Sequence, residues 1–142
     1  MRALFDVAFL IALLLPDHVH HAPAHAWWGK NASWGWASCP ITQNGFARVV
    51  SRPGYPKPLS VRAALDRLGE AVDETDHAFW PDDLSIADPD VFDRSRILGP
   101  NQITDVYLLA LAVRNGGRLV TLDRGIPLAA VRGAEPRHLA VL

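Results

Sequence analysis

One acidic side chain, Asp6, stands inside an otherwise apolar run from Ala3 to Leu15, and it limits what the first fifteen residues can become. A carboxylate taken out of water is costly without a partner. Nothing in the run itself offers one, so the expected partner is a distant part of the chain or a bound cation. The acid also breaks the run as a membrane segment, and the stretch is too short to cross a bilayer. Met1-Arg2, the apolar stretch and Ala24-His25-Ala26 imitate a signal peptide with its cleavage site, but an acid in mid-run argues against that. The reading that remains is a short buried strand at about residues 2 to 5, ending at Asp6 and passing directly into a helix stopped before Pro16.

The same alternation continues. Asp17 is a plausible N-cap for a helix running to about Trp28, Gly29 to Ser33 makes a turn, and Trp34 to Cys39 is a strand followed by a helix from about Thr42 to Ser51. Arg52 to Pro58 is a loop by its punctuation, and Ser60 caps a helix with Val61, Ala64, Leu65, Leu68 and Val72 at helical spacing. His77 to Trp80 reads as a strand, with a short helix around Pro89 to Arg96. Ile103 to Ala112 marks a long helix closed by Asn115-Gly116-Gly117, Arg118 to Leu122 is a strand, and His138 to Val141 adds a fifth strand at the edge. Strands alternating with helices predict an α/β fold, a central parallel sheet of four to five strands flanked by helices, in a single domain over residues 1–142. With 142 residues, 49% of them hydrophobic, the chain has the length and the apolar content for one substantial core.

In parallel sheets the ligand crevice lies beyond the carboxyl ends of the strands. Asp6 and Asp123 each follow a predicted strand, and Asp105 falls in the first turn of the helix before the last long strand, on the same rim. Three carboxylates that converge repel, and one or more takes up a proton unless a cation sits among them. A hard divalent ion with oxygen ligands, Mg²⁺ or Mn²⁺, meets that need. The net charge of −1 excludes a large basic field, so any nucleic-acid affinity must come from a local patch or a partner. The single Cys39 cannot form an intramolecular disulfide, which favours a reducing cytoplasm.

Five segments in order carry a family resemblance: Leu4-Phe5-Asp6-Val7 with its helix, Cys39 to Val49, Phe79 to Leu84, Ile103 to Leu108, and Leu122-Asp123-Arg124-Gly125. The chain resembles PIN-domain ribonucleases of the VapC type, the toxin half of type II toxin–antitoxin pairs. That resemblance implies a Mg²⁺-dependent endoribonuclease, with Mn²⁺ as a possible substitute, that cuts RNA with metal-activated water. Asp6 and Asp105 would ligate the metal, with Asp123 supporting it. It further implies a homodimer, a VapB-like antitoxin that inserts a segment into the acidic groove, an RNA of the tRNA or rRNA class, and no membrane association. One departure is evident. The family presents a Glu near the start of the third helix, where this segment offers only Gln43 and Asn44; an amide oxygen there can still ligate the metal or hold a metal-bound water, so both stand as site candidates, but it brings no charge and weakens the case for a second metal.

Other readings stand beside this one. The missing Glu makes credible a PIN-fold module that binds RNA or a partner with weak or no cutting. Acids at strand ends also serve phosphatase-like and receiver-like domains, but those need a lysine or Ser/Thr beside the acids, and the only lysines, Lys30 and Lys57, fall in predicted loops. His18, His21 and His25 would share one helix face, with His20 beside them, but no cysteine or acid completes a zinc set; they read as a partly exposed helix face near the crevice. Trp27, Trp28, Trp34 and Trp36 read as core or dimer contacts rather than base-stacking platforms.

Overall fold

The computed structural model describes residues 1–142 and contains one sheet of five strands: β1 (Ala3–Phe5), β2 (Trp36–Ser38), β3 (His77–Phe79), β4 (Arg118–Thr121) and β5 (Leu139–Val141). They lie side by side in the order β3-β2-β1-β4-β5, every neighbouring pair parallel. Parallel neighbours need long crossovers, and helices supply most of them. Between β1 and β2 run α1 (Val7–Leu14) and α2 (His21–Asn31); between β2 and β3, α3 (Pro40–Val50) and α4 (Val61–Glu74); and α5 (Ile103–Arg114) leads into β4. No helix is long and apolar enough to cross a membrane.

Because helices cover both faces, the central strand is buried along its whole length. Leu4, Ala37 and Leu119 point to one side and pack with α5, whereas Phe5, Trp36 and Val120 point to the other and pack beneath α1, α3 and α4. The second core is markedly aromatic: Phe5 stacks on Trp36 at 5.4 Å, and Trp27 and Trp28 meet Phe5 edge-on at 6.0 Å. Three of the four tryptophans in question are therefore core or its margin, and Trp34 is the exposed one, at 60%.

Several boundaries differ from the sequence expectation. Asp17 caps nothing. Residues after Leu14 form turns, α2 starts only at His21, and Asp17 instead faces Lys57 across the surface at 3.7 Å. Gly29 to Ser33 is not a turn but the end of α2 and a 3₁₀ turn at Ala32–Trp34, and the reversal falls on Gly35, whose φ of 71° suits a residue without Cβ. The helix expected around Pro89 to Arg96 is reduced to a 3₁₀ turn at Arg94–Arg96, because Phe92 is pinned into the core and bridged to Val131. Helix α3 begins two residues earlier than expected, with Pro40 in its first turn, where the missing N–H costs nothing.

The register fixes the rim. Phe5 lies beside Val120, and the Asp6 N–H continues the ladder to the Val120 carbonyl at 3.2 Å. Asp6 and Thr121 therefore leave the sheet side by side.

Candidate metal centre

At the carboxyl end of β1 the chain turns at once into α1, and Asp6 is the residue that makes the turn. Its backbone is extended and its Oδ1 accepts the Phe9 N–H at 2.7 Å, an N-cap on the first turn. The expectation that nothing inside the apolar run can pair with Asp6 is thus corrected: side chains there offer nothing, but the orphan amides of a helix start do. The other oxygen, Oδ2, accepts the Thr121 hydroxyl at 2.5 Å. Asp6 is 5% exposed, and burial pushes its carboxyl above the usual range, with the Asp123 charge adding to the rise and the Thr121 and Phe9 bonds opposing it.

Thr121 is fully buried and does two things with one oxygen. It donates to Asp6 and accepts the Asp123 N–H at 2.9 Å, tying two of the acids together through the end of β4. Asp123 lies on the exposed turn beyond, and its Oδ1 accepts the Gly125 N–H at 2.7 Å. Asp105 arrives from the first turn of α5 and is half-buried. Burial, then the charges of Asp6 and Asp123, then a hydrogen bond with Asp123 push its carboxyl up to about 6. The helix dipole favours an anion there, but loses to desolvation and like charge.

All three carboxylates open onto one cavity of about 500 Å³, whose remaining wall is largely apolar and includes Val7 and Ile11 of α1, Val49 of α3 and Leu108 of α5. No lysine or arginine lines the cavity and none forms an ion pair with the three acids, so their charge is uncompensated by the chain itself. The donor set fits a hard divalent cation: it is all carboxylate oxygen, and each oxygen already holding one hydrogen bond has a lone pair left. The side chains do not form a finished cage of three or more His, Cys, Asp or Glu ligands, because Asp6 is turned toward Phe9 and Thr121, and Asp123 toward Gly125.

The structure does not bring Gln43 and Asn44 to this cavity. Gln43 points to the β3 side of α3, where its amide donates to Ser38 Oγ at 2.9 Å; Ser38 in turn lies 2.7 Å from His77 Nε2. Asn44 is exposed, and neither residue lines the crevice. The histidines are displaced as well. His18 and His20 lie in the turn before α2, so the single helix face shared by His18, His21 and His25 does not exist; His21 bonds the Ala12 carbonyl at 2.8 Å, and no histidine reaches the acidic cavity. Asp82 caps α3 from a distance, accepting the Ile41 N–H at 3.1 Å, and Asp83 faces Arg114 at 3.5 Å. Sequence reasoning missed Thr121 entirely. Nothing could have marked it, since a threonine in Leu119-Val120-Thr121 is what any strand accommodates.

Comparison with known proteins identifies the family. The PIN domain family model matches residues 3–132. The chain is 55% identical to Ribonuclease VapC44 of Mycobacterium tuberculosis (strain ATCC 25618 / H37Rv) over 142 residues, covering 100% of both. It is 41% identical over 142 residues to Ribonuclease VapC38 of the same strain, covering 99% of each, and 40% identical over 134 residues to Ribonuclease VapC39, covering 94% of this chain and 96% of the relative. A five-strand parallel sheet with acids gathered on its carboxyl rim, a family model spanning most of its length and full-length likeness to several VapC ribonucleases together place the chain in the PIN-domain family, as a VapC-type member.

Proposed function

We propose that the chain is a Mg²⁺- or Mn²⁺-dependent endoribonuclease, the cytoplasmic toxin of a type II toxin–antitoxin pair, restrained by a VapB-like antitoxin and acting as a homodimer on RNA of the tRNA or rRNA class. The observation that carries this reading is the convergence of Asp6, Asp105 and Asp123 on one cavity with no cation from the chain among them. The names of its relatives support the reaction class.

A divalent cation held by Asp6, Asp105 and Asp123 would supply the Lewis acidity that phosphodiester hydrolysis draws on. The residues divide the remaining work. Thr121 and the Phe9 amide hold both oxygens of Asp6, so that the most buried acid cannot swing away. Asp105, pushed up to about 6, carries a proton part of the time near neutral pH and releases it when positive charge arrives. Val7, Ile11, Val49 and Leu108 keep the inner wall dry and strengthen every electrostatic term in the cavity. Three bare carboxylates repel a phosphodiester, so RNA would enter the crevice only with the cation in place.

The test is cleavage of total tRNA and ribosomal RNA by purified, antitoxin-free protein. Cutting should require Mg²⁺ or Mn²⁺, stop with EDTA, and be lost in Asp6→Ala. Metal-independent cutting would refute the metal-dependent reading, whereas equal inactivity of the wild type and Asp6→Ala together with harmless expression would refute the enzyme and leave a binding module.

A further inference from the structure

Next to Asp6, α3 packs so closely on α1 that no further side chain fits between them. Gly45 is buried on α3, and a Cβ built there would lie 2.5 Å from Val7 Cγ2, well inside van der Waals contact. Val7 is the first residue of α1, directly after Asp6, and a β-branched side chain on a helix has essentially one rotamer, so it cannot simply step aside. Of α3 only Val49 lines the cavity, and Gly45, one turn before it on the same stripe, packs on Val7 at the cavity wall. Gln43 lies about 200° around the helix from Gly45, and its amide is spent on Ser38. Asn44 is exposed.

We propose that the Val7–Gly45 contact closes the α3 side of the crevice and limits it to one divalent cation, making Val7 the residue that sets the metal stoichiometry. This rests on the metal-dependent reading above. It also predicts that an acid cannot be restored at Gln43 or Asn44, because neither position faces the cavity, nor at Gly45 while Val7 remains.

Calorimetric titration of the full-length, antitoxin-free chain with Mn²⁺ tests the proposal. The wild type should take one Mn²⁺, lost in Asp105→Asn. Gln43→Glu and Asn44→Glu should still take one, and Gly45→Glu alone should melt at lower temperature without gaining a second. Val7→Ala combined with Gly45→Glu should take two. Two Mn²⁺ in the wild type, both lost in Asp105→Asn, would overturn the proposal while leaving the metal-dependent reading intact, as would a folded double variant that takes only one. No Mn²⁺ bound by the wild type would sink that reading and the proposal with it. Should the double variant fail to fold, judged by circular dichroism, the smaller pair Val7→Gly with Gly45→Asp takes its place, where two Mn²⁺ support the proposal and one overturns it.

Discussion

Adding a divalent cation near pH 6 should expel protons from this protein, by an amount the crevice dictates. Asp105 has its carboxyl pushed from an ordinary 3.8 up to about 6 by burial and by the charges of Asp6 and Asp123. At pH 6 it is about half protonated, and at pH 8 about 1%. A cation replaces the repulsion with attraction and drives the carboxylate to full ionisation, so binding at pH 6 releases at least about half a proton per chain. Asp6, also raised, can only add to that figure. The same shift bears on stability without metal. Because the folded value exceeds the unfolded one, the penalty for ionised Asp105 is complete above pH 6, shrinks as pH falls through 6, and is gone below 3.8. For a half-exposed group that penalty is on the order of 1–2 kcal/mol rather than the roughly 3 of a fully buried one. Mn²⁺ titrations in buffers of different ionisation enthalpy, at pH 6 and pH 8, read the proton count directly. Zero release at pH 6, or equal release at both values, would show that Asp105 does not sit among the charges described; an undiminished release in Asp105→Asn would assign the proton elsewhere.

Thr121→Val should cost about 1–3 kcal/mol in thermal or denaturant unfolding and weaken Mn²⁺ binding, because the Asp6 oxygen and the Asp123 amide lose their shared partner. Thr121→Ser should recover most of the metal affinity, and a valine variant with wild-type affinity would deny the hydroxyl its positioning role. Gly117→Ala should destabilise the fold by about 1–3 kcal/mol, since a Cβ there meets the Arg2 carbonyl oxygen at 2.5 Å and the Trp80 ring at 2.8 Å; a melting temperature equal to the wild type would show that the β1 end relaxes freely.

Periodicity and punctuation carried the sheet: β1 and β4 were legible from short apolar runs bounded by Asp6 and by Gly116-Gly117, β5 from the short apolar run after His138, and parallel crossovers followed from helices between strands. The rim acids were legible because strand ends and helix starts in such folds share an edge, which is topology rather than side-chain detail. What sequence could not supply was azimuth. Whether Gln43, Asn44 or Gly45 looks into the crevice depends on how α3 is rotated about its axis, and that is decided by Phe46 and Val50 entering the core. Asp17 misled because a capping residue is only as good as the helix start behind it, and the turns after Leu14 postpone that start to His21. Thr121 stayed invisible because its value lies in two partners brought by other residues' backbone geometry.

The central place of β1 in the sheet has a consequence for synthesis. Its outer neighbours on one side, β2 and β3, follow early, but β4, which supplies Thr121 and leads to Asp123, comes from the last fifth of the chain, and Asp105 comes only shortly before it. Until that C-terminal part emerges from the ribosome, Asp6 lacks its hydroxyl donor and the other two acids are missing. A nascent chain therefore carries no acidic crevice until α5 and β4 have both emerged. The segment before α5 holds only one of the three acids, so no truncated chain that stops short of β4 can present the site.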